Sequence, residues 1–286
     1  MSLEPPVPAG FLEPQTAPTG SKEPLPGSIG SKEPIDYNVP DDARQNPESF
    51  PKDIEQQLPP QFAFDSASVR AAFVRKVFAL VTLMILIVIA MVTPAVTMHE
   101  VRLYMMNNTG IYFLAFIVFT ITYFIMICCT RVTRTFPCNL LMLGVFTLAS
   151  GGTLMVLCAS VPPHTVLLAL STTAVSCIAI IGFASQTKYD ITSHLFLIFT
   201  ATFAVFIFGI TLMIMSFFIY MKFLHIVFSA IVCVLFMFWL AIDTQMIIGG
   251  RRYEISPEDY IFAALMLFID LYEIFITLLR IFNGDR

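Results

Sequence analysis

Long apolar segments alternate with short polar breaks from residue 77 almost to the end of the chain. Seven such segments cover residues 77–97, 111–130, 139–160, 164–184, 192–215, 222–247 and 260–281. An α-helix rises 1.5 Å per residue, so about 20 apolar residues cross a hydrocarbon layer of roughly 30 Å. Every segment reaches that length, and the breaks between them are too short to hold a further domain. The pattern therefore predicts an all-α, polytopic membrane protein with seven transmembrane helices.

The stretch before the first apolar segment has a different composition. Residues 1–66 hold 13 of the 18 prolines and 11 of the 20 acidic residues, against four basic residues. Such a stretch has too few apolar side chains to offset the entropy lost on folding. We therefore predict a disordered, acidic, proline-rich tail over residues 1–68 and a membrane domain over residues 69–286. No apolar run opens the sequence, so we expect the first membrane helix to act as a signal anchor.

Lysine and arginine near the segment ends predict the orientation in the membrane. If the tail is cytosolic, eight basic residues fall on the cytosolic side and two on the opposite side before the last segment. The eight are Arg70, Arg75, Lys76, Arg131, Arg134, Lys188, Arg251 and Arg252, and the two are Arg102 and Lys222. This excess predicts a cytosolic N-terminus. Asn107 begins an Asn-Asn-Thr sequon on the lumenal side, where glycosylation is chemically available although the loop is short.

Six cysteines fall in or beside the apolar segments: Cys128, Cys129, Cys138, Cys158, Cys177 and Cys233. None has the spacing of a zinc site, so we interpret them as packing residues. The alternative is palmitoylation of Cys128, Cys129 or Cys138, which lie near a cytosolic boundary.

Acidic side chains within the apolar segments are concentrated in the last two. Asp243 lies in the sixth segment, and Asp270 and Glu273 lie in the seventh. One such charge in mid-helix costs about 2.5–3.5 kcal/mol on an insertion scale, so its presence requires an explanation. Helical spacing places four polar side chains of the seventh segment on one face, namely Asp270, Glu273, Thr277 and Arg280. Such a stripe predicts a helix surrounded by other helices rather than by lipid.

We expect Asp243 and Asp270 to meet, because a short loop joins their segments and makes them antiparallel neighbours. Two carboxylates in a dehydrated site cannot both ionise cheaply, so they would share one proton and respond to pH. Oxygen ligands also suit Ca²⁺, which makes Asp243 and Asp270 candidate metal ligands. The residues alone therefore predict a proton- or cation-responsive path, with Glu273 on its lumenal part.

Simpler interpretations stay open at this point. Asp243 can be a solvated residue that caps the cytosolic end of its helix, and Glu273 can pair with Arg280 or with a lumenal group. Two aspartates on adjacent helices also suit an intramembrane aspartyl protease. The Gly-x-Gly-Asp motif of that class is absent around both residues. We therefore expect that the protein is not an enzyme.

Six short motifs occur in a fixed order: VRAAFVRKV at 69–77, RTFP at 134–137, QTKYD at 186–190, AIDTQ at 241–245, SPEDYIFAAL at 256–265 and FID at 268–270. Together they resemble the lifeguard branch of the transmembrane BAX inhibitor motif family. The resemblance implies a seven-helix bundle with the last helix at its centre. It also implies Ca²⁺ leak across internal membranes, suppression of apoptosis, and a pH-sensitive gate formed by Asp243 and Asp270. Glu273 departs from the neutral residue usual at its position, and the second segment lacks an interior arginine that would latch the pair.

The expected function is that of an anti-apoptotic, pH-sensitive calcium leak channel gated by a carboxylate pair. The alternative is a non-conducting interaction protein that restrains death-receptor signalling. We expect no cofactor, Ca²⁺ as the transported ion, and the lipid bilayer and apoptosis-regulating proteins, but not nucleic acid, as partners. The endoplasmic reticulum, the Golgi and endosomes are the candidate locations, with the plasma membrane as an alternative. The sequence leaves open whether the last segment crosses the membrane or re-enters it.

Overall fold

The computed structural model describes residues 60–219 and 221–284, with the backbone alone for residues 60–66 and 130. Within these ranges the chain forms helices and connections, without a strand. The α-helices are α1 (Pro60–Thr97), α2 (His99–Asn107), α3 (Thr109–Cys128), α4 (Thr130–Arg134), α5 (Cys138–Ala159), α6 (Pro163–Gln186), α7 (Leu195–Met215), α8 (Lys222–Ile248) and α9 (Tyr260–Gly284). Two 3-10 turns, Ile191–His194 and Pro257–Asp259, lead into α7 and α9.

Seven of these helices, α1, α3 and α5 to α9, are long and apolar enough to cross a membrane. The predicted all-α, polytopic fold is therefore confirmed. Helix ends lie within three residues of the predicted segments, with one exception at the beginning of α1. Residues 60–68, which we assigned to the disordered tail, belong to α1, whereas the rest of that predicted tail lies outside the described residues. Proline suits the first position of a helix, because its fixed φ is helical and its missing N–H would have no partner there.

Two short helices, α2 and α4, lie in the connections on either side of α3 and were not predicted. None of the nine residues of α2 is buried, and its sequence is polar enough that a search for apolar segments passes over it. Glu100 in its first turn suits the positive end of the helix dipole. These helices shorten the irregular backbone that the connections would otherwise expose.

The last helix, α9, lies at the centre of the bundle, as the family resemblance implied. In its most apolar stretch 67% of the residues are buried, against 11–44% in the other six spanning helices. It packs against α1, α5, α6 and α8. The helix is continuous over 25 residues, which at 1.5 Å per residue is enough to cross a bilayer without re-entry. The outward surfaces of α3 and α7 carry large apolar side chains, as lipid contact requires.

The connections form two faces of the bundle. One face, called the N-side here, contains the polar beginning of α1 and the connections 129–137, 187–190 and 249–256. The other, called the far side, contains the connections that join α1 to α3, α5 to α6 and α7 to α8. The eight basic residues counted above all belong to the N-side.

Arginines from distant parts of the chain cover the carboxyl ends of three helices. Arg70 donates to the carbonyl groups of Met246 and Ile248 at the end of α8. Arg102 donates to the carbonyls of Ala159 and Val161 at the end of α5. Arg251 does the same for two carbonyls after α6. The last carbonyls of a helix have no partner within it and carry partial negative charge, so a guanidinium group stabilises them.

Candidate functional site

Asp243 of α8 and Asp270 of α9 lie against each other inside the bundle. Only 2% of Asp243 and 4% of Asp270 is exposed. Their carboxyl groups are close enough to interact directly. Two ionised carboxylates in such a buried contact would repel each other strongly. The burial excludes the interpretation of Asp243 as a solvated helix cap.

Each carboxyl group keeps one oxygen without a protein partner. Asp243 Oδ1 and Asp270 Oδ2 are buried and accept no hydrogen bond from any residue that the structure describes. Their neighbours along the two helices are closely packed, and Leu240, Ile247 and Leu267 are fully buried. A buried oxygen without a partner costs free energy, about 1–3 kcal/mol for an uncharged group. Each residue of the pair therefore keeps one oxygen atom available to bind a ligand, although burying that oxygen without a partner costs free energy.

Glu273 follows Asp270 by one helical turn towards the far side and is half-buried. Among the described residues it forms no ion pair with Arg280, which is exposed. Thr277, on the same face, is buried, and its hydroxyl donates to the Glu273 carbonyl at 2.8 Å. The polar stripe of α9 thus runs from the aspartate pair towards the far side, with Glu273 as its second acid.

Gln245 fixes the end of α8 that carries Asp243. Its side chain is 1% exposed and makes hydrogen bonds with the connection between α6 and α7. Its Oε1 accepts from the Ile191 N–H at 2.9 Å, and its Nε2 donates to the Tyr189 carbonyl at 2.9 Å. These bonds satisfy backbone groups that no helix can satisfy. They hold the N-side end of α8 and the beginning of α7 together, two residues from Asp243.

Arg70 of α1 closes the same end from the other direction. Besides the two α8 carbonyls, its guanidinium group donates to the Ile255 carbonyl at 2.7 Å and pairs with Glu254 at 3.3 Å. Gly249 makes room for this group. Its φ of 80° with ψ of −173° is a conformation largely restricted to glycine, and a Cβ atom there would overlap the guanidinium. The first helix is thereby attached to the connection between α8 and α9.

Asp190 joins the two N-side connections to each other. Its Oδ1 accepts from the Thr192 hydroxyl at 2.6 Å and from the Thr192 N–H at 3.0 Å, and its Oδ2 accepts from the Arg252 N–H at 3.2 Å. The hydrogen bond from the Thr192 hydroxyl is the main reason why the pKa of Asp190 lies below its ordinary value. Asp190, Gln245, Arg70 and Arg251 together form what is called the N-side plug here.

A cavity of about 460 Å³ lies between α1, α6 and α9, on another side of α9. Its lining is almost entirely apolar and includes Val92, Leu170, Phe268 and Phe275. None of Asp243, Asp270 and Glu273 lines it. The cavity is therefore separate from the acidic stripe.

The one other predicted site residue lies in the connection between α1 and α3. Asn107 is exposed at the end of α2 on the far side. Within the described ranges no group of three or more His, Cys, Asp and Glu side chains is close enough to hold a metal ion. A cation at Asp243 and Asp270 would therefore take its further ligands from water or from carbonyl groups.

Sequence reasoning missed the residues of the N-side plug. In the sequence, Arg70 and Arg251 count as basic residues that set the orientation, and Arg70, Asp190 and Gln245 also belong to the family motifs, but no contact is predicted for any of them. A buried glutamine in an apolar helix is a signal that could have been used, because its amide must find partners. The partners of Arg70 could not be found this way, because they lie 176 to 185 residues away in the chain.

Comparison with known proteins supports the resemblance. Residues 70–286 match the family model described as inhibitor of apoptosis-promoting Bax1. The human protein lifeguard 3 is 34% identical over 223 residues, which is 78% of this chain and 71% of the relative. The mouse protein lifeguard 3 is also 34% identical, over 76% of this chain and 71% of its own length. Protein LIFEGUARD 2 of Arabidopsis thaliana is 26% identical over 81% of this chain and 96% of its own. The chain therefore belongs to the BAX inhibitor motif family of membrane proteins, which is anti-apoptotic by name and includes the lifeguard proteins.

Proposed function

We propose that this protein is an anti-apoptotic calcium leak channel of internal membranes, sensitive to pH and gated by Asp243 and Asp270. The observation that carries the proposal is the buried contact between these two acids, each with one oxygen that lacks a protein partner. A protein that used them only for packing would gain by replacing both with apolar side chains, because burying polar groups is costly.

In the proposed mechanism, a shared proton holds α8 and α9 together. Loss of that proton leaves two negative charges in contact, and either the helices separate or a cation enters. Ca²⁺ takes six to eight oxygen ligands, whereas two carboxyl groups supply at most four. The ion would therefore keep some of its water, as suits an ion that must leave again.

Two further parts of the molecule have roles in this proposal. Glu273, half-buried one turn from Asp270, would line the path towards the far side. The N-side plug would close the opposite end, because Arg70 and Gln245 attach α1 and the α6–α7 connection to α8. In this arrangement opening requires movement of the connections as well as loss of the proton.

The N-side is proposed to face the cytosol. The eight basic residues on this face, against Arg102 and Lys222 on the far side, support that orientation. The far side, with the exposed Asn107, would then face the lumen, where the sequon can be used. The endoplasmic reticulum, the Golgi and endosomes are the proposed locations.

The test is Ca²⁺ flux into sealed liposomes that contain the purified full-length protein and a calcium-sensitive dye, measured from pH 6 to 8. The comparison is between the wild type, Asp243→Asn, Asp270→Asn and the double variant. We expect the wild-type flux to change with pH and each single variant to abolish flux or its pH dependence. The double variant should add nothing, because the two residues act as one unit.

The thermal unfolding midpoint of each variant shows whether a loss of flux comes from unfolding or from loss of the gate. We expect each midpoint to stay near that of the wild type. Asn keeps the shape of Asp and can donate a hydrogen bond to the carboxyl group of its partner. Folded wild-type protein with no flux above protein-free liposomes would contradict the proposal. The alternative, a non-conducting protein that restrains death-receptor signalling, would then be favoured.

A further inference from the structure

The cysteines of this chain form two groups with opposite surroundings. Cys158, Cys177 and Cys233 are buried in the bundle, whereas Cys128, Cys129 and Cys138 are exposed. All three exposed thiols lie within eleven consecutive residues. Cys128 ends α3, Cys129 follows it, and Cys138 begins α5. Burial explains the first group as packing residues, but it does not explain the second.

The three exposed cysteines, called the thiol cluster here, lie at the N-side ends of the spanning helices α3 and α5. Apolar side chains around them point away from the bundle: Phe136 is 72% exposed, and Phe124 and Leu141 are also exposed. Arg131 and Arg134 lie between them in sequence, and both guanidinium groups are accessible. Lipid-facing apolar residues beside basic ones mark the boundary between hydrocarbon and headgroups. A thiol at this depth can reach both the aqueous phase and the acyl chains.

We propose that the thiol cluster is a site of S-acylation by long-chain fatty acids. In the reaction a cysteine sulfur attacks the carbonyl carbon of an acyl-coenzyme A thioester, directly or through an acyltransferase. A new S–C bond forms, the donor's C–S bond breaks, and coenzyme A leaves as a thiol with the proton of the cysteine. Nothing is oxidised or reduced. Exposed cysteines next to a membrane helix are the usual acceptors of this modification.

The attached chain would enter the bilayer beside α3 and α5, where the neighbouring exposed side chains are already apolar. The same turn touches the beginning of α9. Arg134 forms a bidentate ion pair with Asp259, with hydrogen bonds of 2.7 and 2.8 Å. Asn139 donates a hydrogen bond to the Tyr260 hydroxyl at 3.3 Å. Acylation would thus hold at the membrane surface a segment that contacts the helix carrying Asp270.

This inference rests on the part of the proposed function that places the N-side in the cytosol, because acyl-coenzyme A is supplied there. It does not depend on calcium conduction. The test uses the full-length protein expressed in mammalian cells. Free thiols are blocked, thioesters are cleaved with hydroxylamine, and each thiol released is labelled with a polyethylene glycol maleimide that adds a visible mass step.

We expect one to three hydroxylamine-dependent mass steps in the wild type and none in Cys128→Ser/Cys129→Ser/Cys138→Ser. Each single serine variant of the cluster should lose at most one step, which keeps the test valid if the triple variant folds poorly. The matched control, Cys158→Ser, replaces a buried thiol and should keep the wild-type number of steps.

Three results would overturn the inference. The first is a wild-type protein without any hydroxylamine-dependent step. The second is a step that persists when all three cluster cysteines are replaced. The third is reaction of the cluster thiols with a membrane-impermeant maleimide from the lumenal side, which would also contradict the proposed orientation. Flux measured in liposomes is independent of all three, so failure of this inference and failure of the proposed channel can be told apart.

Discussion

Gly249 is required for two reasons, its backbone conformation and its contact with a neighbouring side chain. It ends α8 with a φ of 80°, and its N–H still donates to the Gln245 carbonyl at 2.9 Å. The space that a Cβ atom would occupy is filled by the Arg70 guanidinium. Gly250 also has a positive φ, 72°, but no atom lies within 4 Å of the position that its Cβ atom would occupy. A comparison of substitutions at the two glycines therefore distinguishes the effect of backbone strain from the effect of losing the Arg70 contact.

Replacement of Gly249 by alanine should destabilise the protein more than replacement of Gly250. Both substitutions force an L-residue to a positive φ, which costs about 1–3 kcal/mol. Gly249→Ala also displaces Arg70 from the carbonyls of α8. Thermal unfolding of both variants in one detergent measures the difference. Equal midpoints for Gly249→Ala and Gly250→Ala would show that the Arg70 contact contributes little.

At the scale of elements, side-chain contacts hold the N-side connections in place, rather than the connections being short or rigid themselves. The α6–α7 connection is bound by Gln245 and Arg251, and Asp190 links it to the α8–α9 connection. Asp190 belongs to this arrangement and lies outside the spanning helices. Hydrogen bonds lower the pKa of its carboxyl group. Its contribution to stability should therefore depend on pH.

We expect Asp190→Asn to be less stable than the wild type at neutral pH, with the difference vanishing in acid. A carboxyl group whose folded-state pKa is lowered stabilises the fold above its unfolded-state value of about 3.9. That contribution is lost as the pH falls through the folded-state pKa. Thermal midpoints of both proteins from pH 7 down to pH 3 provide the measurement. Glu258→Gln, which removes an exposed carboxylate from the neighbouring connection, is the control and should show no such trend.

The elements that the sequence predicted well are those set by local pattern. The apolar segments of α3 and α5 to α9 predicted helix ends to within three residues, because the thickness of the bilayer fixes their length. The pattern failed for the beginning of α1 and for α2, where helix continues or forms outside the apolar stretch. Hydropathy reports what can enter lipid, and it does not report where a helix ends in water. The contact of Asp243 with Asp270 was predictable from helical spacing and a short loop, whereas the N-side plug depends on long-range contacts.

At the scale of the whole molecule, the central helix α9 is largely buried, whereas the outer surfaces of the spanning helices are apolar. Ala263 and Ala264 of α9 are fully buried, and small residues at such positions let helices approach closely. On the surface of α8, by contrast, Ala230 is exposed. In the membrane this outer surface meets lipid tails, which accommodate added volume. The same substitution should therefore have opposite consequences at the two places.

Ala263→Leu should destabilise the bundle, and Ala230→Leu should not. Extra methylene groups in a filled interior typically cost about 1–3 kcal/mol, because neighbouring side chains and helices must shift. A leucine facing lipid fills no occupied space, so its effect should lie within about 0.5 kcal/mol. Thermal midpoints and the fraction of monodisperse protein after purification measure both. A tolerated Ala263→Leu would contradict the central position of α9.

The attachment of Arg70 to α8 has a consequence for the synthesis of the protein. Arg70 is made early, but the Ile248 carbonyl that it binds is made 178 residues later. At about 5–20 residues per second, the ribosome needs roughly 10 to 35 s to cover that distance. During that interval α1 can pack against α5, which precedes α8 in the chain, but the α8 carbonyls that Arg70 binds do not yet exist. The attachment of Arg70 to α8 is therefore completed only after the rest of the α1 packing can have formed. A chain that stops before α8 keeps the packing of α1 against α5 but lacks every carbonyl group that Arg70 binds.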